Sequence, residues 1–207
     1  MAAEQHNECS VKICCESLVR TGMIPATADG FSVRQGDCVF YPVLRNGALD
    51  IATLRLNDES EQVPTWVRRH CEIYNRKKSI RVLILSKLPY TMTCARAGAS
   101  VPPLLDDFAQ LVGVNASVVH GDMENAAFSG SIIKGLVWRN AVLIGETGGL
   151  CTAGSIDDAL AVAQVLEKNC RAVVDTFFLG GGYPINILEA WLMRLVYRYK
   201  YSKKMAA

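Results

Sequence analysis

Hydrophobic residues along the chain follow two different spacings, and the changes between them predict the order of helices and strands. Over residues 4–20 they recur three and four positions apart, which is the spacing of an amphipathic helix. Residues 31–56 instead give three short apolar runs, separated by Gln35-Gly36 and by Asn46-Gly47. Asn-Gly is a strong signal for a hairpin turn. We therefore expect an N-terminal helix followed by an antiparallel meander of three strands.

Beyond the meander, helical and strand patterns alternate to the end of the chain. No internal repeat, low-complexity segment or linker divides it, so we expect one mixed-sheet domain over residues 1–207 with helices on both faces of the sheet. The predicted strands are 31–33, 38–43, 49–55, 80–85, 117–119, 141–144 and 150–152. The later predicted helices are 65–75, 89–97, one started by Pro102-Pro103, 126–134, one from the N-cap Ser155 to Leu179, and one from Pro184 to about residue 200.

Composition limits the class of protein. With 207 residues, half of them hydrophobic, the chain is long enough to bury one large core. The formal net charge is +2, and apart from the C-terminal run YRYKYSKK the basic residues are scattered, so charge gives no argument for a nucleic-acid partner. No apolar run is long enough to span a bilayer, so no membrane association is expected.

The eight cysteines are typical of buried, reduced thiols. None forms a Cys-x-x-Cys or Cys/His pair with zinc-site spacing, and the adjacent Cys14 and Cys15 are poorly placed to bridge each other. The first residues, MAAEQHNECS, lack the apolar segment of a signal peptide. We therefore expect an intracellular, cytoplasmic protein. Cys151 lies in an apolar strand with no obvious histidine beside it, so it is expected to fill the core rather than act as a nucleophile.

The histidines and the paired aspartates give weak chemical signals. The three histidines do not indicate a metal site, because no two of them lie two or four positions apart. His70 falls in an amphipathic helix and is expected at the surface or the edge of the core. His120 ends a strand, where an exposed loop position is favoured and a functional role stays open. Asp106 and Asp107 begin a helix, where capping is favoured over a role as acid or base.

Two glycine-rich segments lack the motifs of nucleotide-binding loops. The segment GETGGLCTAG predicts a tight turn between two strands. The segment FLGGGYP predicts the end of a helix followed by a joint, and a phosphate cradle at Gly181-Gly182 is the less favoured alternative.

Three longer stretches together resemble the class II aldolase/adducin family. The first, GMIPATADGFSVRQGDCVFYP, is similar to the family's phosphate loop G-x-x-x-x-T-S-G-N-x-S-x-R. The second, IRVLILSKLPYTMTCARAG, is similar to A-V-V-H-T-H-P-P-Y-A-T-A, and the third, NAVLIGETGGLCTAGSIDDALA, to A-L-L-L-R-N-H-G-V-L-V-x-G-x-x-x-x-E-A. The resemblance covers residues 4–171 and implies an α/β fold with three α/β/α layers and a central, mainly antiparallel sheet.

The resemblance also locates the family's metal site. Family aldolases hold a zinc ion that stabilises an enediolate, with an H-x-H pair at one strand end and a third histidine from the N-H-G turn. The H-x-H positions fall on Leu85 and Lys87, and the third falls on Thr147. No zinc-binding side chain stands at any of the three, so the resemblance implies a chain without this metal or any other cofactor.

Other positions of the family's site differ as well. The phosphate loop reads TADGFS at residues 27–32, where the family has T-S-G-N-x-S, and Asp29 would repel a phosphate. Residues 41–44 replace T-P-S-G. The family's S-S-E, which supplies phosphate contacts and the acid/base, corresponds to Pro64, Thr65 and Trp66. We expect a retained scaffold whose original chemistry has been lost.

Two classes of function follow from the resemblance. One is a non-catalytic assembly or ligand-binding module, as the adducin head domain is. The other is a carbon–carbon lyase of aldolase type, or a related sugar-phosphate enzyme, with metal-independent chemistry in which Lys87 supplies a cation or a Schiff-base amine. A Lys87 that only pairs with Glu146 in the vacated metal site is favoured over a catalytic one. The candidate catalytic residues are Lys87, Glu146 and Asp106 or Asp107, and the candidate ligand-binding residues are Asp29, Gly30, Ser32, Thr147 and Gly148.

The assembly implied by the resemblance is a homotetramer, because family aldolases form four-fold rings with sites between neighbouring subunits. The last predicted helix, about 184–200, is apolar around much of its circumference and needs cover from its own subunit or from a neighbour. A protein partner or an active paralogue stays open as a further component of the assembly.

Overall fold

The computed structural model describes residues 2–58, 63–121, 125 and 127–201. Within them the chain forms seven strands that join into one sheet, six helices that pack against the sheet, and a seventh helix that packs against the fourth. The strands are β1 (Phe31–Gln35), β2 (Cys38–Arg45), β3 (Ala48–Arg55), β4 (Val82–Ser86), β5 (Ser117–Val119), β6 (Ala141–Ile144) and β7 (Gly148–Ala153). The helices are α1 (Ala2–Arg20), α2 (Thr65–Arg76), α3 (Pro89–Ala97), α4 (Asp106–Leu111), α5 (Ala127–Gly135), α6 (Ile156–Phe177) and α7 (Ile187–Tyr201).

The sheet has the strand order β3-β2-β1-β4-β7-β6-β5 and is mainly antiparallel, as expected. Only the β5–β6 pair is parallel. The predicted meander is formed by β1, β2 and β3. Asn46 and Gly47 make the β2–β3 turn with φ values of 51° and 78°, the positive angles that a two-residue hairpin of this kind requires.

Alternating side chains of the strands bury the two faces of the sheet under different helices. One face packs against α1, α3, α4 and α6, and the other packs against α2 and α5. On β4, for example, Val82 and Ile84 belong to the first cluster, whereas Leu83 and Leu85 belong to the second. Fully burying an aliphatic side chain of this size contributes about 1.5–3 kcal/mol, so both layers stabilise the sheet. The predicted α/β/α layering is therefore confirmed.

Helices α4 and α7 begin later than the positions that were predicted from the prolines before them. The segment before α4 is extended, because Val101 pairs with Ala116 and because the Asn169 side chain accepts from the Leu104 amide and donates to the Pro102 carbonyl. At α7 the side chain of Asn186 accepts from the backbone amide of Leu188 at 2.9 Å, which starts the helix three positions after its proline.

The longest helix, α6, begins as predicted and ends slightly earlier. The hydroxyl of Ser155 accepts from the Asp158 amide at 3.2 Å, a normal N-cap. The helix ends at Phe177, and Gly180 and Gly181 follow with positive φ values of 96° and 90°. Across the described parts of the chain, no helix is both long enough and apolar enough to cross a membrane.

Candidate functional site

The end of β4 lies at the middle of the sheet, where three segments of the chain meet. The Leu85 amide donates to the Gly30 carbonyl at 2.8 Å, and the Lys87 amide donates to the Met23 carbonyl at 2.8 Å. On the other side, Ser86 is paired with Gly149 of β7. We use the name β4 edge for this cluster, which comprises Gly30, Leu85–Lys87 and Glu146–Gly148.

The backbones at the β4 edge approach too closely for added side chains. A Cβ on Gly30 would lie 2.6 Å from the Cβ of Leu85, and a Cβ on Gly148 would lie 2.3 Å from the carbonyl oxygen of Ser86. Both glycines have positive φ, 92° and 135°, which glycine adopts at little cost. The glycines therefore close the packing around β4, and the Lys87 and Glu146 side chains are exposed around it.

Glu146 lies in a strained turn between β6 and β7. The Thr147 amide donates to the Ile144 carbonyl at 3.0 Å, which closes a four-residue turn. Glu146 is its third residue, with a φ of 60°, a conformation that costs a side chain other than glycine roughly 1–2 kcal/mol. His120 lies beside this turn: a Cβ on Gly145 would be 3.4 Å from its Nδ1 atom. The exposed His120 thus belongs to the rim of the β4 edge.

The charged candidates are not joined to one another. Lys87, Glu146 and Asp29 are all exposed, and across the described residues no ion pair of 4.0 Å or less links Lys87 to Glu146. The substitute ion pair that the sequence favoured is therefore not formed in this structure. Asp107 instead pairs with Lys168 at 2.9 Å, while Asp106 lies exposed in the first turn of α4.

Ser32 is engaged inside the protein. It is 0% exposed, and its hydroxyl lies 2.7 Å from Nδ1 of His70 and 2.8 Å from the Tyr74 hydroxyl. The Tyr74 hydroxyl donates to the Ser32 carbonyl at 2.9 Å. Because that bond uses the tyrosine proton, we infer that the serine hydroxyl donates to Tyr74 and that Nδ1–H of His70 donates to the serine.

This network corrects the expectation that His70 lies at the surface or the core edge. The imidazole is 1% exposed, and its Nε2 atom has no hydrogen-bond partner. Burial lowers the pKa of His70 to about 3, so the ring is neutral, and burial also raises the pKa of Tyr74. The i, i+4 spacing of His70 and Tyr74 was visible in the sequence, but their shared partner Ser32 is 38 residues away from His70.

Aromatic rings fill the space beside the network. The ring centroid of Trp66 lies 5.3 Å from that of His70 and 6.1 Å from that of Tyr41, both in edge-to-face geometry. Trp66 stands at the position that the resemblance assigns to the family's acid/base glutamate. An indole packed edge-on against an uncharged imidazole cannot supply that chemistry.

Glu167 positions the helix that follows the β4 edge, and sequence reasoning did not single it out. Its carboxylate accepts from the backbone amides of Tyr90 and Thr91 at 2.9 and 2.7 Å, and from the Thr91 hydroxyl at 2.7 Å. These amides are the free donors of the first turn of α3, which is stabilised by negative charge. A carboxylate of the protein itself therefore occupies this helix N-terminus.

Two surface cavities of the described chain lie at the other end of the sheet. One, of about 640 Å³, is lined by residues 37–38 and 55–58, where β2 begins and β3 ends. The other, of about 480 Å³, is lined by residues at the end of β1, the start of β4 and the start of α6, among them Arg34 and Arg81. Neither of these two cavities is lined by residues of the β4 edge.

The sequence of residues 10–174 matches the model of the class II aldolase and adducin N-terminal domain. The chain belongs to the class II aldolase and adducin family. No curated protein sequence gives a significant match.

Solved structures of this family share the fold. An L-fuculose 1-phosphate aldolase is 18% identical with a TM-score of 0.79, and the match covers 92% of this chain and 95% of that one. YgbL from Escherichia coli, for which an aldolase, epimerase or decarboxylase activity is suggested, is 15% identical with a TM-score of 0.77 and coverage of 93% and 99%. The L-fuculose-1-phosphate aldolase of Thermus thermophilus is 18% identical with a TM-score of 0.70 and coverage of 86% and 98%.

The residues at the β4 edge do not fit the zinc ion of the family's aldolases. Leu85, at the position that the resemblance assigns to the first ligand, is buried in the apolar cluster under α2 and α5 and has no metal-binding atom. Lys87 carries a positive charge at the second position, and the Thr147 hydroxyl lies 3.3 Å from the Gly145 carbonyl. Within the described residues, no group of three or more His, Cys, Asp or Glu side chains could hold a metal ion. Zinc needs several nitrogen, sulfur or carboxylate ligands, and this edge does not supply them.

Proposed function

We propose that this chain is a non-catalytic member of the class II aldolase and adducin family that acts as an assembly or ligand-binding module over residues 1–207. The observation that carries the proposal is the burial of Leu85 in the position that the resemblance gives to a zinc ligand. Substituting a histidine by a buried leucine removes the Lewis acid on which the family's enediolate chemistry depends.

The residues around this position support the same conclusion. Trp66 stands where the family has its acid/base carboxylate, and Asp29 adds negative charge to the loop where the family binds a phosphate. Each change removes a different part of the machinery, which is the pattern of a scaffold kept for a purpose other than the original reaction. The exposed Lys87, Glu146 and His120 and the half-buried Thr147 leave a polar surface on which a ligand or a partner could bind.

The alternative is an aldolase-type lyase in which Lys87 forms a Schiff base. Amine nucleophiles of this kind are activated by burial in an apolar pocket or by a neighbouring cation. Lys87 is exposed, and neither feature surrounds it among the described residues. We therefore expect borohydride to trap no adduct on Lys87 in the presence of aldehydes or ketones.

The decisive experiment measures zinc binding and aldol cleavage together. The purified protein is expected to bind no stoichiometric zinc and to leave L-fuculose 1-phosphate, the compound in the names of its structural neighbours, uncleaved with or without added zinc. Stoichiometric zinc, or cleavage that depends on it, would overturn the proposal. A mass-mapped borohydride adduct on Lys87 would instead establish the alternative.

A rebuilt variant serves as the matched control. Replacing Leu85, Lys87 and Thr147 together by histidine restores three nitrogen ligands at the β4 edge, and this variant is expected to gain zinc. A double variant that keeps Thr147 is expected to bind it more weakly. If the folded triple variant binds no zinc, the three positions do not correspond to the family's ligands and the main support of the proposal is lost.

The proposed assembly is a homotetramer located in the cytoplasm. Its support is the family itself and the large apolar surface of the C-terminal segment, which a single subunit leaves exposed. An active paralogue within the same ring would give the non-catalytic chain a role as a structural or regulatory subunit. Co-purification of the untagged protein with its tagged copy, followed by mass spectrometry, distinguishes a homomeric ring from a mixed one.

A further inference from the structure

Cys94 on α3 and Cys170 on α6 face each other in the core. The Cys94 thiol donates to the Cys170 backbone carbonyl oxygen at 3.9 Å, so the two cysteines are direct neighbours across the contact between the helices. Both side chains are buried in the cluster between the sheet and these helices. A disulfide requires Cβ atoms about 3.8 Å apart, so only cysteines that are direct neighbours, as these two are, can form one without a large backbone movement.

The two thiols differ in chemical character. The interaction with the Cys170 thiol lowers the pKa of Cys94. The interaction with Cys94 and burial raise the pKa of Cys170. Cys94 is therefore the thiol of the pair that ionises first, and the thiolate is the form that reacts with an oxidant.

The pair continues a contact that already holds α3 to α6. Glu167 of α6 binds the first turn of α3 at Thr91, and the cysteines lie three residues further along each helix. Residues three apart share one face of a helix, so the carboxylate and the thiol pair lie on the same seam. A covalent bond at the cysteines would add a second tether to this seam.

We propose that Cys94 and Cys170 are a disulfide-forming pair, oxidised by a peroxide, whose bond locks α3 onto α6. The Cys94 thiolate attacks one peroxide oxygen, which breaks the O–O bond and gives a sulfenic acid and water. The Cys170 sulfur then attacks the Cys94 sulfur and expels a second water. Two thiols lose two electrons and two protons, hydrogen peroxide is reduced to two waters, and one S–S bond forms.

Locking α3 affects the β4 edge directly. The helix begins at Pro89, two residues after Lys87, so its position sets the direction in which the chain leaves the edge. Oxidation would hold that segment in the arrangement described here, whereas the reduced protein depends on Glu167 and packing alone. This inference does not depend on whether the chain is catalytic, because it concerns only the contact between the two helices.

The test is to oxidise the full-length protein with hydrogen peroxide and to map its thiols. Non-reducing peptide mass spectrometry is expected to show a linked pair of peptides containing Cys94 and Cys170, 2 Da lighter than their reduced sum. The melting temperature should rise by roughly 10 °C, because the bond closes a long loop of the unfolded chain. Dithiothreitol should reverse both changes, and hydrogen exchange at residues 89–97 should slow only in the oxidised form.

Variants separate this pair from the other cysteines. Cys94→Ser and Cys170→Ser should each abolish the stabilisation by peroxide. Cys151→Ser should retain it, because it replaces a buried thiol that donates to the Gly149 carbonyl. If either serine variant fails to fold, the mapping of the wild-type protein still decides. A folded, peroxide-treated protein in which Cys94 and Cys170 both remain free for alkylation after unfolding overturns the proposal, as does a disulfide that joins either one to a different cysteine.

Discussion

Glu146 occupies a backbone conformation that most side chains avoid. In the β6–β7 turn it has a φ of 60°. The resemblance aligns it with the asparagine of the family's N-H-G motif, a residue that tolerates this region well. The present chain therefore carries strain at the rim of the β4 edge. Strain of this kind persists where the surrounding structure dictates the conformation, here through the packing of Gly148 against Ser86.

Replacing Glu146 by asparagine should stabilise the protein. We expect the free energy of unfolding to rise by about 0.5–1 kcal/mol, since the left-handed conformation becomes less costly while the turn is kept. Urea denaturation of Glu146→Asn measures the change. Glu146→Gln is the matched control, because it removes the same charge without relieving the strain. Equal stabilities of the two variants would show that loss of the charge, and not relief of the backbone strain, causes the stabilisation.

The buried imidazole of His70 predicts a specific dependence of stability on pH. The unfolded chain takes up a proton near the ordinary pKa of 6.5, whereas the folded protein does so only near 3. Between these values the unfolded state binds more protons, so the free energy of unfolding falls as the pH is lowered, by at most about 1.4 kcal/mol per pH unit. Above pH 6.5 the contribution is complete.

The variant His70→Asn isolates this contribution. Asparagine can still donate to Ser32 but does not titrate, so the variant should be less stable at pH 7 and should lose less stability than the wild type between pH 6.5 and 4.5. Carboxylates titrate in both proteins and cancel in the difference. If the wild type and His70→Asn lose the same amount of stability between pH 6.5 and 4.5, His70 takes up its proton in the folded state as well.

At the scale of single residues, the sequence predicts where a side chain lies along a strand or helix better than it predicts what surrounds that side chain. It placed Lys87 at the end of a buried strand, because the strand pattern is local. It did not indicate the burial of His70, because the partner hydroxyl comes from β1 and reaches the ring only through the pairing of the sheet. Nor did it indicate that Lys87 and Glu146 would stay apart, since side-chain directions at the ends of two strands are set by turn geometry.

Among the elements, α3 depends on a contact from another helix. Its N-cap residue, Leu88, has a side chain that makes no capping hydrogen bond, and the donors of the first turn are instead satisfied by Glu167. A helix of nine residues has little stability of its own. The carboxylate of α6 therefore supplies what the local sequence of α3 lacks.

Removing this carboxylate should loosen α3. Glu167→Ala is expected to lower the free energy of unfolding by about 2–3 kcal/mol, because two backbone amides and a hydroxyl lose a charged acceptor, and Glu167→Gln by about 1 kcal/mol. Hydrogen exchange at the amides of Tyr90 and Thr91 should accelerate in both variants. Gln164→Ala, an exposed position one turn earlier on α6, should change neither quantity. Unchanged exchange at Tyr90 would contradict the capping role.

The strands and helices themselves followed from local patterns. All seven predicted strands are present, and their alternating or continuous hydrophobic runs match one or two buried faces. The predicted helix boundaries were wrong where a side chain distant in sequence determines the start of the helix. Asn169 holds the segment after Pro102 extended, so α4 starts later than the prolines suggested. No sequence window contains both partners of that bond.

At the scale of the whole molecule, the C-terminal segment is attached to the subunit by only one of its faces. The buried Arg194 donates to the carbonyls of Gln110 and Leu111 at 2.8 and 2.9 Å, which caps the end of α4 and fixes α7 there. Ala190 is buried on the same side. The opposite side and the segment before the helix expose large apolar side chains, namely Phe177, Phe178, Leu179, Tyr183, Ile187, Leu188, Leu192, Val196 and Tyr199.

Such a surface predicts self-association through the outer face of α7. Burying this face in a neighbouring subunit would remove apolar area from water. The helix cannot turn the same face onto its own subunit, because Arg194 already fixes its opposite face there. The wild-type protein should sediment as a tetramer at micromolar concentration. Replacing Leu188 and Leu192, which are 75% and 55% exposed, together by glutamate should give a folded monomer, since charges buried at such a contact cannot be solvated. Ile13→Glu, an equally exposed apolar position on α1, should leave the tetramer intact. A wild-type monomer, or a double variant that still sediments as a tetramer, would place the interface elsewhere or exclude it.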